Sequence, residues 1–124
     1  MEPIFLAEWL HIVEGPGPIV ATAIHDGHVL RPDVADQITL PDADRLREED
    51  PHSAYWTKAF DTRLVPDRSR FEVDLNRTRD GAVYRTPDDA WGLDLWTRPP
   101  SDKMAAASMA QYDHFYSEMH RILD

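Results

Sequence analysis

No cysteine occurs in the chain, which removes disulfides, thiolate zinc ligands and a cysteine nucleophile from consideration. A reducing cytoplasm is compatible with that absence, and the chain is expected to be cytoplasmic. Positive charge is scarce: 13 Lys and Arg stand against 23 Asp and Glu, for a formal net charge of -10. A general electrostatic grip on nucleic acid or anionic lipid needs a basic face, so neither partner is expected. Long apolar runs are missing as well. The longest, Ile19–Ile24, falls far short of the ~20 residues that span a bilayer. Met1-Glu2-Pro3-Ile4-Phe5 carries an acid where a signal peptide carries Lys or Arg. The sequence has no Gly-x-Ser-x-Gly, no phosphate loop, no Gly-x-Gly-x-x-Gly, no internal repeat and no low-complexity segment.

What is present is enough for a core. Hydrophobic residues make up 42% and charged residues 29%, a balance unlike that of disordered chains. A length of 124 residues corresponds to one domain, 1–124. Ten prolines and five glycines divide it into short elements. Gly15-Pro16-Gly17-Pro18 ends whatever Phe5–Val13 forms. Ile19–Ile24 is β-branched and does not alternate, which predicts a strand covered on both faces. Pro41–Phe60 reads as helical pieces broken at Pro51, the second capped near Asp50 with Pro51 at its first position. Arg63–Val65 and Phe71–Leu75 read as strands, the latter with apolar residues at 71, 73 and 75. Asn76–Gly81 is turn chemistry, Ala82–Tyr84 a short run and Thr86–Asp89 a breaker. After Pro99-Pro100, Ser101 is the expected N-cap of the clearest helix. Met104, Ser108, Tyr112, Phe115, Met119 and Ile122 give that helix one largely apolar face. The order of elements is α/β. The last helix has a face made for a sheet, so it either packs back on earlier strands or belongs to a domain cut short.

Three stretches can carry chemistry. His25-Asp26-Gly27-His28 directly follows the apolar run, and open α/β sheets bind ligands at the carboxyl ends of their strands. Two imidazoles three residues apart in a turn can reach one metal ion, with Asp26 or another carboxylate orienting a ring. A pair of hydrogen-bonded turn histidines around a glycine fits the same spacing. Arg47-Glu48-Glu49-Asp50 is either a solvated helix end or the source of one carboxylate for that ion. From Arg68 to Arg79 four arginines stand in an otherwise acidic chain. A planar guanidinium grips a carboxylate with two prongs, and Asn76 adds a neutral donor. These arginines could simply balance their acidic neighbours, but Asp74-Leu75-Asn76-Arg77 directly after a strand favours an anion site. Trp91–Trp96 reads first as packing and second as substrate lining. His11, His52, His114 and His120 have no informative partner spacing, and the last two belong on exposed or flanking faces of the final helix.

Together, Ala21–His28, Arg47–Pro51 and Arg68–Arg77, with Ala82–Arg85 and Ala90–Leu93, resemble the N-formylglutamate amidohydrolase family. That family is a branch of the zinc carboxypeptidase and aspartoacylase group. The resemblance runs over most of the chain from Ile19 onward, and Asp-Leu-Asn-Arg is its most specific part. It implies a zinc-carboxypeptidase-like α/β fold, a mixed or mostly parallel sheet with flanking helices. It implies His25 as the first zinc ligand. The wider group often has Glu three residues later, where this chain has His28, so the second ligand is His28 or Glu49. Asn76 and Arg77 would hold the α-carboxylate of a small-molecule N-acyl amino acid. Arg70 would assist catalytically at the carboxylate or the polarised carbonyl, and Asp74 would position the loop. The implied reaction is metal-assisted hydrolysis of N-formyl-L-glutamate to formate and glutamate. A related amidase or carboxypeptidase on another acylated amino acid, or a non-catalytic carboxylate-binding module, are the alternatives. Family members continue beyond the equivalent of Asp124 into a strand with another metal-binding His and a segment with the general base. The chain is therefore expected to be the N-terminal half of a larger hydrolase domain, truncated after a helix. Zinc would bind it weakly or not at all, and an exposed sheet edge would allow homo-oligomers.

Overall fold

Residues 8–124 are described by the structure, a computed structural model; Met1–Phe5 and the beginning of Phe5–Val13 lie outside the described residues. Strands β1 (Leu10–Val13), β2 (Val20–Thr22) and β3 (Thr62–Pro66) form one sheet in the order β1-β3-β2. β3 runs antiparallel to β1 and parallel to β2, so the sheet is small and mixed. Helices α1 (Pro32–Gln37), α2 (Asp42–Glu48) and α3 (Asp102–Leu123) flank it, with 3-10 turns at Ser53–Ala59, Arg79–Gly81 and Pro87–Ala90. The architecture is α/β. Among the described residues no helix is long and apolar enough to cross a membrane.

The sheet is centred on β3 rather than on the apolar run. Leu64 is fully buried and β3 alternates buried with half-buried residues, whereas β2 has only three residues and lies at the edge. Ile19 is 55% exposed and Thr22 is exposed, so the expectation of a strand covered on both faces fails. The reason is topological. Gly15-Pro16-Gly17-Pro18 carries the chain across β3, and among the described residues β2 is paired on one side alone.

The final helix follows its local signals. The Ser101 hydroxyl accepts the Met104 N–H at 3.1 Å, which satisfies one orphan donor of the first turn. Met104, Ser108 and Phe115 are buried, and Tyr112, Met119 and Ile122 are half-buried, as the spacing predicts. Phe115 joins Trp9, Leu10, Leu64, Val73, Leu75 and Ala82 in the main core, so α3 packs back on the strands. Burying a side chain of that size is worth about 1.5–3 kcal/mol.

Two local expectations are corrected. Pro51 sits in a turn, and the second helical piece is a 3-10 segment that starts at Ser53 after His52 in the left-handed region. Ser53 turns both its N–H and its hydroxyl onto the Asp50 carbonyl. Phe71–Leu75 is not a strand: all five residues are buried, including Glu72 and Asp74 on the face expected to be wet. The Ser69 carbonyl takes the N–H groups of Glu72 and Val73, its hydroxyl takes that of Phe71, and Asp74 takes that of Asn76. Side-chain partners for the backbone have displaced a ladder. Glu72 accepts the Arg31 N–H at 2.6 Å, and burial nevertheless pushes its carboxyl above the usual range.

Candidate active site

The segment after β2 is clamped against the exit of β3. A Cβ on Gly27 would lie 2.4 Å from the Arg68 carbonyl oxygen, so only glycine allows the two backbones to meet. Val29 then bridges to Arg68, donating to the Asp67 carbonyl at 3.0 Å and accepting from Ser69 at 3.0 Å. This clamp sets both histidines of the turn beside the irregular stretch Ser69–Arg77.

His28 is fully engaged. Its Nδ1 pairs with Glu49 Oε1 at 2.6 Å, and its Nε2 lies 3.1 Å from an Arg45 guanidinium nitrogen. A guanidinium only donates, so Nε2 is the acceptor and Nδ1–H the donor. Glu49 Oε2 accepts from Arg45 at 2.8 Å and from the Ser69 hydroxyl. Arg45 also reaches the His28 carbonyl at 2.6 Å, and the Arg45 and Glu49 side chains are almost wholly buried. A buried charge survives only when paired and hydrogen-bonded, and this pair is both.

Among the described residues His25 is hydrogen-bonded on one side alone: its Nε2 pairs with Asp74 Oδ1 at 2.7 Å, and its Nδ1 faces Asp50 Oδ2 at 3.7 Å. The Asp50 N–H donates to the His25 carbonyl at 2.9 Å, so the two segments are stitched together. The other Asp74 oxygen takes the Tyr84 hydroxyl and an Arg70 nitrogen at 3.3 Å, with Arg77 Nε at 3.7 Å. Burial opposes the charge on Asp74, but bonds from His25, Tyr84 and the Asn76 N–H outweigh it and hold the carboxyl well below the usual carboxylate range. Burial and the Asp74 carboxylate push the Tyr84 phenol up, so it stays a donor. The Arg77 guanidinium lies over the Tyr84 ring at 4.6 Å and that of Arg70 over Trp91 at 4.7 Å. Arg77 makes no hydrogen bond through its guanidinium among the described residues, and Asn76 is exposed beside it.

The residues named from the sequence as zinc ligands divide accordingly. His25, His28 and Glu49 do not offer free donors to one point, because His28 and Glu49 have spent theirs on each other, Arg45 and Ser69. Of the three acids Glu48-Glu49-Asp50, it is Asp50 that faces His25. His25 does have the form of a metal ligand, one nitrogen braced by a buried carboxylate and the other open. Among the described residues no three His, Asp or Glu side chains gather as a metal set.

Arg70, Asn76 and Arg77 do come together, around Asp74. Sequence reasoning missed Tyr84, Ser69, Arg45 and the placement of Trp91. Trp91 is half-exposed with φ of 43°, a conformation bulky residues rarely adopt, and its ring meets Arg70, Phe71 and Tyr84. That backbone state costs of the order of 1–2 kcal/mol, which the contacts of its ring offset. No local signal in Trp91-Gly92 foretold it.

No curated protein and no solved structure matches the chain. The family model for N-formylglutamate amidohydrolase matches residues 17–124, which include both histidines, the acid run, Asp74-Leu75-Asn76-Arg77 and Trp91. With an imidazole and two arginines joined through one buried carboxylate, the chain belongs to the N-formylglutamate amidohydrolase family and carries its amidohydrolase-like character.

Proposed function

We propose that the site holds an N-acyl amino acid by its α-carboxylate and that the reaction served is hydrolysis of the acyl amide, N-formyl-L-glutamate being the reference substrate. The observation that supports this reading is Asp74 itself. One of its oxygens fixes His25 and the other gathers Arg70 and Arg77, so an anion pole and an open imidazole nitrogen share a single support. Two guanidinium groups stand around one carboxylate, in a chain whose net charge is -10. Arg77, with its terminal nitrogens free, clamps the carboxylate and Asn76 adds a donor. Arg70, held by Tyr84 and Trp91, stands at the same pole with less freedom. Without a metal, His25 Nδ1 would be the base that takes a proton from a water on the Asp50 side; a metal held on that nitrogen would replace this role.

Zinc, when bound, would be held by His25 Nδ1 and the Asp50 carboxylate and would supply a Lewis acid for the amide carbonyl and an acidified water. Two donors are one fewer than a catalytic zinc site uses, so binding is expected to be weak.

Calorimetric titration with N-formyl-L-glutamate tests the anion pole. Arg77→Ala is expected to lower affinity about 10- to 100-fold, the worth of a charge-assisted bond. An unchanged dissociation constant for every carboxylate tried would overturn the assignment. With no third metal donor gathered among the described residues, a second reading is a carboxylate-binding module without turnover. A formate-release assay with and without added zinc separates the two, since the module binds and releases nothing.

A further inference from the structure

The two ring nitrogens of His25 look toward different surroundings. Nε2 faces Asp74 and, beyond it, the arginine pole. Nδ1 faces Asp50, and both residues line a groove of about 450 Å3. The rest of that groove is mostly apolar, lined by Val20 and Ile24 from the β2 segment, Trp56 from the 3-10 turn and Phe60 directly after it. Trp56 is 75% exposed and Phe60 37%, an unusual surface position for large rings in so acidic a chain. Among the described residues no Lys or Arg lines the groove, and Asp50 would repel a second carboxylate placed there.

An N-acyl amino acid has its carboxylate on one side of the amide and its acyl group on the other. If the carboxylate sits at Arg70 and Arg77 and the amide reaches His25, the acyl group lies on the side of the groove that His25 and Asp50 line. A formyl group, a single carbon, would leave nearly all of that space empty and the rings unburied. We propose that the groove is the subsite for an apolar acyl chain, so that the preferred N-acyl amino acids carry an aliphatic or aromatic acyl group of several carbons. The inference rests on the carboxylate reading of the arginine pole. The competing occupant is an extended peptide, from another protein or a second copy, pairing with the free edge of β2.

The test titrates the full chain with the N-formyl, N-acetyl, N-hexanoyl and N-octanoyl derivatives of L-glutamate. Calorimetry reads affinity, and NMR follows the Ala21 and Thr22 amides and the Trp56 indole. Affinity is expected to rise roughly two- to fourfold per added methylene, with those signals shifting only for the longer chains. Trp56→Ala, at an exposed position that the fold does not need, is expected to cost the octanoyl compound about tenfold and the formyl compound less than about twofold. Affinity flat across chain length, or β2 amides that shift on self-association or with a peptide and not with acyl chains, would overturn the proposal. Binding of N-formyl-L-glutamate through Arg77 without chain-length dependence removes the groove inference and leaves the carboxylate reading intact. Failure of all four compounds to bind removes both.

Discussion

His25 and His28 belong to one turn and each pairs with a buried carboxylate, at 2.7 and 2.6 Å, yet they end in opposite chemical states. On the His28 side both ring nitrogens of His28 and both oxygens of Glu49 are engaged, with each other, Arg45 and Ser69. On the His25 side Nδ1 makes no hydrogen bond among the described residues, and the carboxylate shares two arginines that still have donors to give. A pair of similar distance is a closed brace in one place and an open support in the other. What separates them is residual hydrogen-bonding capacity, not the presence of His beside an acid.

The largest expected effect breaks the brace. Glu49→Ala leaves the buried Arg45 with only the exposed Asp42, 3.4 Å away, as counter-charge and should cost about 3–5 kcal/mol in urea unfolding. A loss below about 1 kcal/mol would mean that the His28 side is idle. The next pair sharpens the contrast, because each substitution removes one hydroxyl from a buried carboxylate. Ser69→Ala and Tyr84→Phe should each lower stability by about 1.5–3 kcal/mol. Only Tyr84→Phe should also weaken binding of N-formyl-L-glutamate, since Asp74 would then draw Arg70 and Arg77 closer to itself. Equal ligand affinities in the two variants would erase the distinction. The smallest effect lies in the open half. Asp50→Asn, at a mostly exposed side chain, should change stability by no more than about 0.5 kcal/mol. With zinc as titrant, His25→Ala and Asp50→Asn should abolish the weak heat signal that His28→Ala leaves in place. A signal lost only with His28→Ala would reverse the comparison.

How far the sequence could be read depended on the range of the interaction. Ser101 as N-cap and the apolar face of α3 were legible because both rest on contacts within a few residues. Arg63–Val65 was legible as a strand, and it became the centre of the sheet. Phe71–Leu75 misled because its alternation looks like a strand, while Ser69 and Asp74 supply competing partners for the backbone. The motif residues Arg70, Asn76 and Arg77 could be picked out in advance. Tyr84, which holds Asp74 from ten positions away, could not, and Trp91 gave no cue to its place over Arg70. That Glu49 is buried while Asp50 is exposed toward His25 was equally hidden, since adjacent acids at the end of α2 look alike until the fold turns one inward and one outward.

The sequence by itself determined the absence of thiol chemistry, the acidic background, the final helix and the motif that places an arginine after an asparagine. It also settled the family, because those motifs are strings of neighbouring residues. Only the tertiary structure decided which histidine is open and which is closed. That decision is made by partners 20 to 49 positions apart, Ser69 on Glu49 and Asp74 on His25. A side chain's free lone pair is what remains after all its neighbours have been satisfied, and those neighbours exist only once the chain has folded.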